Sequence, residues 1–393
     1  MNDHVIVVGG GPSGLSAAIE LRRRGVDRVT VFEREREAGG VPRHTDHLGF
    51  GMRDLHRLTT GPRYARRLVT AAMHAGVQLR TSTTVAHVSG SGVILVDGSP
   101  IDAGAVVLAT GVRERPRAAR LVPGDRPAGV FTTGTVQQLT ALHHRRIGQR
   151  AVIVGAEHVS FSAIWSLRHG DCTPVAMVTP LPHHQAVAVL RHLTATVRRV
   201  PVLTGVDIAA IEGRRRVEAV VLSDGRRIAC DTVVFTGDFI PDHELAHRAG
   251  LAITAAARAP AITPTFATSR PGVFAIGNLV HPAETADVCA LDGRAEAASV
   301  LDWLTTGSWP AAPAAIAVDD PIVWASFNSR GLTLRVSEFI SARVQVCVGE
   351  RVIATGRKRR LVPNRAITVP LDHRAGDADT LDRVHDLHVR LVR

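Results

Sequence analysis

The sequence is short of the residues on which several kinds of chemistry depend. Lys358 is its one lysine and Tyr64 its one tyrosine in 393 residues. Schiff-base and pyridoxal mechanisms need a buried amine of lowered pKa, which a lysine inside the basic run Arg357-Lys358-Arg359-Arg360 does not supply. The four cysteines, Cys172, Cys230, Cys289 and Cys347, are each more than fifty positions from the next, so dithiol, zinc and iron–sulfur spacings are absent and no metal is expected. No stretch approaches the ~20 consecutive apolar residues of a membrane-spanning helix. The formal charge is +11, but the arginines are scattered along the chain without interleaved aromatics, which reads as composition and not as a nucleic-acid surface. Neither a basic n-region nor an apolar h-region precedes the first apolar run at His4, so a cytoplasmic location is expected.

What is present is ordinary globular material, 45% hydrophobic and 21% charged, enough for two to three domains at ~150 residues each. His4 to Gly9 reads as a buried parallel strand, Gly9-Gly10-Gly11-Pro12-Ser13-Gly14 as a turn, and Leu15 to Arg24 as a helix. In this G-x-G-x-x-G, Gly9 permits the tight turn, Gly11 lets a pyrophosphate approach the backbone, and Gly14 lets helix pack on strand. A second strand, Val29 to Phe32, ends at Glu33, 22 residues after Gly11, where a carboxylate accepts from a ribose hydroxyl. Val77 to Val88, Gly92 to Val96 and Ser99 to Ile101 read as a β-meander leading to the strand Ala105 to Leu108 and to Ala109-Thr110-Gly111. Far downstream, Gly272 to Asn278 is another buried strand ending in a polar residue.

In this order the motifs resemble the FAD-binding half of the two-dinucleotide-binding flavoproteins, the class containing thioredoxin reductase, glutathione reductase and the NADH oxidases. The resemblance spans roughly residues 1 to 310. It implies FAD held by Gly9, Gly11, Pro12, Ser13 and Gly14, with Glu33 and its neighbour Arg34 at the ribose. It further implies contacts from Gly40 and Val41 in a loop around the flavin ring, from Val85, and from Ala109, Thr110 and Gly111 along the dinucleotide linkage. Gly277 and Asn278 fall at the ribityl chain, with Asn278 standing where the class has an acid. Ala286 and Asp287 open a helix whose N-terminus the class aims at the flavin pyrimidine.

Arg150 to Val154 and Gly155-Ala156-Glu157-His158-Val159-Ser160 repeat the strand, turn and helix where the class places its NAD(P)H domain. Gly155 keeps the tight turn and Ser160 is small. Glu157, however, stands where a glycine admits the pyrophosphate, and the next strand, Val175 to Val178, ends in Thr179-Pro180 without an acid for NAD or an arginine for NADP. Loss of the nicotinamide site is expected, with a substrate reducing the flavin instead. His158 takes the place of the residue that gates the flavin face in the glutathione reductase branch; it reads either as a proton acceptor or as a histidine packed between domains. Arg43 and His44 read as an anion-binding pair or as part of a solvated loop, and Thr45 with the missing cysteines rules out dithiol exchange. Glu284 reads as a catalytic acid or as a capping residue.

The stretches GGVPRH, GFGMRDLHRLTTGPRYARRL, LVPGDRPAGVFTTG and VGAEHVS resemble bacterial FAD-dependent oxidoreductases related to the larger subunits of opine dehydrogenase, hydrogen cyanide synthase and proline dehydrogenase complexes, nearest to single-chain members. That resemblance implies oxidation of a small amine or amino-acid derivative, with electrons passed to oxygen or another acceptor. Two alternatives stand beside it: an NAD(P)H-dependent flavoprotein reductase, which needs Glu157 to move aside, and a non-catalytic FAD-holding subunit of a larger complex. The partners implied are a small-molecule substrate and a protein electron acceptor or partner subunit.

After the Pro- and Ala-rich stretch Trp309 to Ala315, short alternating runs at Leu332 to Val336, Arg343 to Val348, Val352 to Thr355, Ala366 to Val369 and Leu387 to Val392 read as a small antiparallel β domain. The expected organisation is α/β with two Rossmann-like domains and this β domain. An FAD-binding domain of residues 1–115 and 243–312 is interrupted by an NAD(P)-binding-like domain of residues 116–242, and residues 313–393 form the β domain.

Overall fold

In a computed structural model of the chain, the structure describes residues 3–89, 92–192, 196, 199–311, 313, 315–371 and 387–393. The α-helices among them are α1 (Pro12–Arg23), α2 (Gly61–His74), α3 (Thr133–Gln137), α4 (His158–His169), α5 (Ala188–Arg191), α6 (Glu244–Arg248) and α7 (Ala286–Thr306). Helix α1 starts at Pro12, three residues ahead of Leu15, because a proline at the first helical position has a suitable φ and lacks only a donor that would have no partner there.

The β-branched run His4–Val8 lies at the middle of a five-stranded sheet, fully buried along its length. Arg28–Phe32 and Ala105–Leu108 flank it, both parallel. Val273–Ala275 and Gln78–Arg80 form the edges. The stretch Val77 to Val88 is therefore not one strand of the meander. Gln78–Arg80 joins the parallel sheet beside Arg28–Phe32, whereas Val85–Val88 starts the meander with Gly92–Leu95 and Pro100–Asp102.

Val273 pairs with Val106, 167 positions earlier in the chain, so a whole domain is inserted before the first sheet is completed. The insert repeats the architecture. Its parallel sheet runs in the order Val130–Thr132, Thr232–Phe235, Arg150–Val154, Thr173–Thr179, Val202–Thr204, beside an antiparallel meander of Ile208–Glu212, Ala219–Leu222 and Arg227–Ala229. The outgoing and returning chains pair as a ribbon, Val112–Glu114 antiparallel to Phe239–Pro241.

The C-terminal part forms two sheets. One joins Gly331–Val336 to Ile322–Asn328 and Ile367–Val369, and the other is built around Ile340–Val348. It is not purely antiparallel, since Ala317–Val318 runs parallel to Leu387–Val392. The hydrophobic core of the first sheet continues without a break into this part, from Val5 and Phe274 to Leu334 and Val344, while the inserted domain has separate cores on its two faces. Trp309 is packed onto the flavin-type domain: its ring meets Phe274 and Trp303 edge to face, and its indole N–H donates to the Thr268 carbonyl.

Candidate active site

The first glycine turn shows which of its glycines the chain itself requires. A Cβ on Gly14 would drive into the Gly9 carbonyl, and one on Gly9 into the Ala109 carbonyl. Gly11 is different. Its backbone is extended (φ −83°, ψ −174°), and a Cβ there would meet no atom within 4 Å. Nothing in the protein demands a glycine at 11, and the open space beside it, at the N-terminus of α1, is what a diphosphate needs. Pro12 opens the helix and Ser13 is buried against Gly277. Glu33 holds the turn in shape: its two oxygens accept the Gly10 and Glu35 amides, each at 2.9 Å. Arg34 reaches across to Asp242. Thr110 donates to the Asp242 carbonyl, whose amide donates to the Gly111 carbonyl, and Ala109 bonds back to Val8. Val85 is half-buried at the start of the meander.

Around this turn lie the loops that the resemblance assigns to the flavin. Gly39 donates to the Gly10 carbonyl, which brings Gly40 against Gly11 and leaves Val41 exposed. Arg43 turns back onto Glu37, bonding its carbonyl and pairing with its carboxylate, so it is not a free anion-binding group. His44 is buried beside Gln137 of the inserted domain, and burial, with Arg43 close by, pushes its pKa down to about 4. Thr45 bonds the same glutamine. Asn278 clamps the next loop: its oxygen accepts the Glu284 amide at 2.6 Å and its nitrogen donates to the Glu284 carbonyl. Glu284 does not cap α7; its carboxylate turns to Thr333 and, at 3.7 Å, to the buried Arg335 of the C-terminal part. Ala286 begins α7, and its carbonyl lies near the Tyr64 hydroxyl. Asp287, almost wholly buried, accepts the Arg53 amide at 3.0 Å and pairs with the Arg53 guanidinium.

The second turn is superficially alike. Glu157 caps α4 with the same extended backbone as Gly11 (φ −89°, ψ 179°), and Ser160 is fully buried where Gly14 stands in the first. The Glu157 carboxylate folds back into the turn. One oxygen stands 2.8 Å from the Thr236 hydroxyl and the other accepts the Ala156 amide at 3.0 Å. His158, exposed at the start of α4, has its pKa lowered to about 4 by partial desolvation and by the guanidinium groups of Arg365 and Arg335. It therefore faces the C-terminal part, which also touches the loop after Thr173–Thr179. There Arg365 Nε donates to the Gln185 carbonyl at 2.9 Å, and Gln185 donates from its backbone to Ala156.

Sequence reasoning missed Gln137, Arg53, Arg335 and Arg365. No local pattern marks them, because each reaches the site from another domain or a distant loop. All four cysteines are buried and free, and among the described residues no group of histidine, cysteine, aspartate and glutamate is placed to hold a metal. No described helix is long and apolar enough to cross a membrane.

Two parallel sheets, each with a strand, turn and helix at its carboxyl edge, and a first turn open to a diphosphate define an FAD-dependent oxidoreductase with two dinucleotide-binding domains. The chain belongs to the pyridine nucleotide-disulphide oxidoreductase family, whose model matches residues 3–300. It is 28% identical over 294 residues to the ferredoxin–NAD(+) reductase component of the biphenyl dioxygenase system of Paraburkholderia xenovorans, covering 71% of this chain and 68% of that one. It is 26% identical over 290 residues to the putidaredoxin reductase of Pseudomonas putida, covering 70% and 67%. The fold is shared with the thioredoxin reductase of T. acidophilum (TM-score 0.64, 19% identity, 76% of this chain and 97% of that one). It is also shared with putidaredoxin reductase in its covalent complex with putidaredoxin (TM-score 0.62, 20% identity, 98% and 93%). FAD is the cofactor, and Gly11's open side fits it. These relatives are reductases, so the preference for amine oxidation gives way to the reductase alternative.

Proposed function

We propose that the chain is an FAD-dependent reductase that moves electrons between a pyridine nucleotide and an electron-carrier protein. The observation that carries this reading is the inserted domain, a complete second dinucleotide frame tied to the first by the paired ribbon Val112–Glu114 and Phe239–Pro241. The ferredoxin and putidaredoxin reductases among the relatives support a protein carrier. FAD supplies a centre that takes two electrons together and releases them singly. Gly9, Gly11, Gly14 and the N-terminus of α1 would hold its diphosphate, and Glu33 the ribose side. With their pKa values lowered to about 4, neither His44 nor His158 is expected to supply a proton at pH 7. Anaerobic mixing of the FAD-loaded protein with NADH or NADPH tests the proposal: loss of the oxidised flavin band is expected, and an unchanged band at saturating nucleotide would reject it.

A second reading, oxidation of a small amine as the opine dehydrogenase-type resemblance implies, is favoured by one observation, the Glu157 carboxylate in the nucleotide's seat. Flavin reduction by amino acids without any nucleotide would support it.

A further inference from the structure

We propose that Glu157 is a built-in anion occupying the diphosphate seat of the inserted domain, so that a pyridine nucleotide binds only by displacing it. This rests on the pyridine-nucleotide reading above and adds how that site is controlled. The two turns supply the comparison. Gly11 and Glu157 both cap a 12-residue helix, with φ and ψ that differ by only a few degrees. Beside Gly11 the space is open, whereas Glu157 carries a carboxylate that folds back into its own turn and accepts the Ala156 amide.

The cradle is built for an anion. The carboxylate takes the Ala156 amide at 3.0 Å and the backbone amide of Ser160 inside α4, and it meets the Thr236 hydroxyl at 2.8 Å. Its walls are glycines at the ends of two adjacent parallel strands. A Cβ on Gly155 would come within 2.9 Å of Glu157 Oε1, and one on Gly237 would overlap the carboxylate outright. Arg120 braces the far wall through the Thr236 and Gly237 carbonyls.

Glu157 and Ser160 cap α4 reciprocally, the Ser160 hydroxyl accepting the Glu157 amide at 3.2 Å, but capping alone does not account for the reach of the carboxylate. Capping favours short side chains that reach only their own first turn, whereas Glu157 extends to the end of the neighbouring strand at Thr236. Backbone amides at a helix N-terminus attract an anion from whatever source. One fixed to the chain by two methylenes competes at an effective concentration in the millimolar range or above. A dinucleotide must exceed that competition and also place its own two charges beside whatever position Glu157 then takes.

The test is calorimetric titration of the FAD-loaded protein with ADP-ribose, which carries the diphosphate without the nicotinamide. Wild type, Glu157→Gly and Glu157→Ser are compared, the serine variant retaining a capping oxygen too short to fill the cradle. At least tenfold tighter binding is expected in both variants, with NADPH or NADH reducing their flavin at correspondingly lower concentration. Variants that keep their FAD yet bind ADP-ribose no more tightly than wild type would overturn the inference. If ADP-ribose binding tightens while neither nucleotide reduces the flavin of any form, the occupied seat stands and the reductase reading falls.

Discussion

Glu114, the last residue of the ribbon strand Val112–Glu114, accepts the Gly134 amide at 2.8 Å, and burial pushes its pKa up to about 7 from 4.5. Between those values the folded protein holds a proton that the unfolded chain has lost, so Glu114 favours folding below the window and that contribution disappears as pH rises through it. Glu114→Gln removes the titration. Urea unfolding at pH 5 and pH 8 is expected to show a loss of stability in the wild type larger, by up to about 3 kcal/mol, than in the variant; the same pH dependence in both would contradict the assignment. His44 and His158 lie on the opposite side of the sign rule. Their pKa values are lowered to about 4, so charging them between pH 6.5 and 4 weakens the folded state. The sequence leaves His158 open as a proton acceptor or as a histidine packed between domains, and neither reading points to a lowered pKa. What lowers it is the partial desolvation of its ring and the approach of Arg365 and Arg335, neither of which is encoded near position 158.

Elements with a local signal were legible and elements defined by partners were not. His4–Val8, Arg150–Val154 and Leu387–Val392 are dense in β-branched and aliphatic residues, and each forms a strand where that density places it. Val77 to Val88 is just as apolar in part, but which sheet each half joins depends on whether Arg28–Phe32 or Gly92–Leu95 lies beside it. Ile322–Asn328 escaped notice because Ala325 and Ser326 interrupt its pattern, although Gly331–Val336 pairs with it along its length. Of the site, the first glycine turn could be read directly, since strand, turn, helix and Glu33 are contiguous or nearly so. The loop at Glu284 could not, because its partner Arg335 comes from a strand 51 positions away. Arg335, buried and lying over the Trp324 ring, donates to the Ala283 carbonyl at 2.6 Å besides pairing with Glu284. Arg335→Met leaves that carboxylate buried without a cation and is expected to cost about 3 kcal/mol in urea unfolding. Adding Glu284→Gln should recover most of the loss. A single variant as stable as wild type would contradict the pairing.

At the scale of the whole molecule, the flavin domain and the C-terminal part share one hydrophobic core, while the inserted domain has its own. The insert meets the rest through the paired ribbon, through Gln137 beside His44 and Thr45, and through the contacts of Gln185 with Pro363 and Arg365. This arrangement gives two dinucleotide frames of matching architecture, one open at Gly11 and one filled by Glu157. The claim on which the rest depends is that the open turn seats FAD. It is tested most directly by the flavin released per chain from wild type and Gly11→Val after reconstitution with excess FAD, alongside the melting temperatures of the two apoproteins. Gly11 has ordinary extended backbone and an empty surround, so the valine should lower the apoprotein's melting temperature by no more than the few degrees that a poorer helix cap costs. The account predicts one FAD per wild-type chain and none in the folded variant; a Gly11→Val protein that retains its flavin, or a wild type that takes up none, would contradict it.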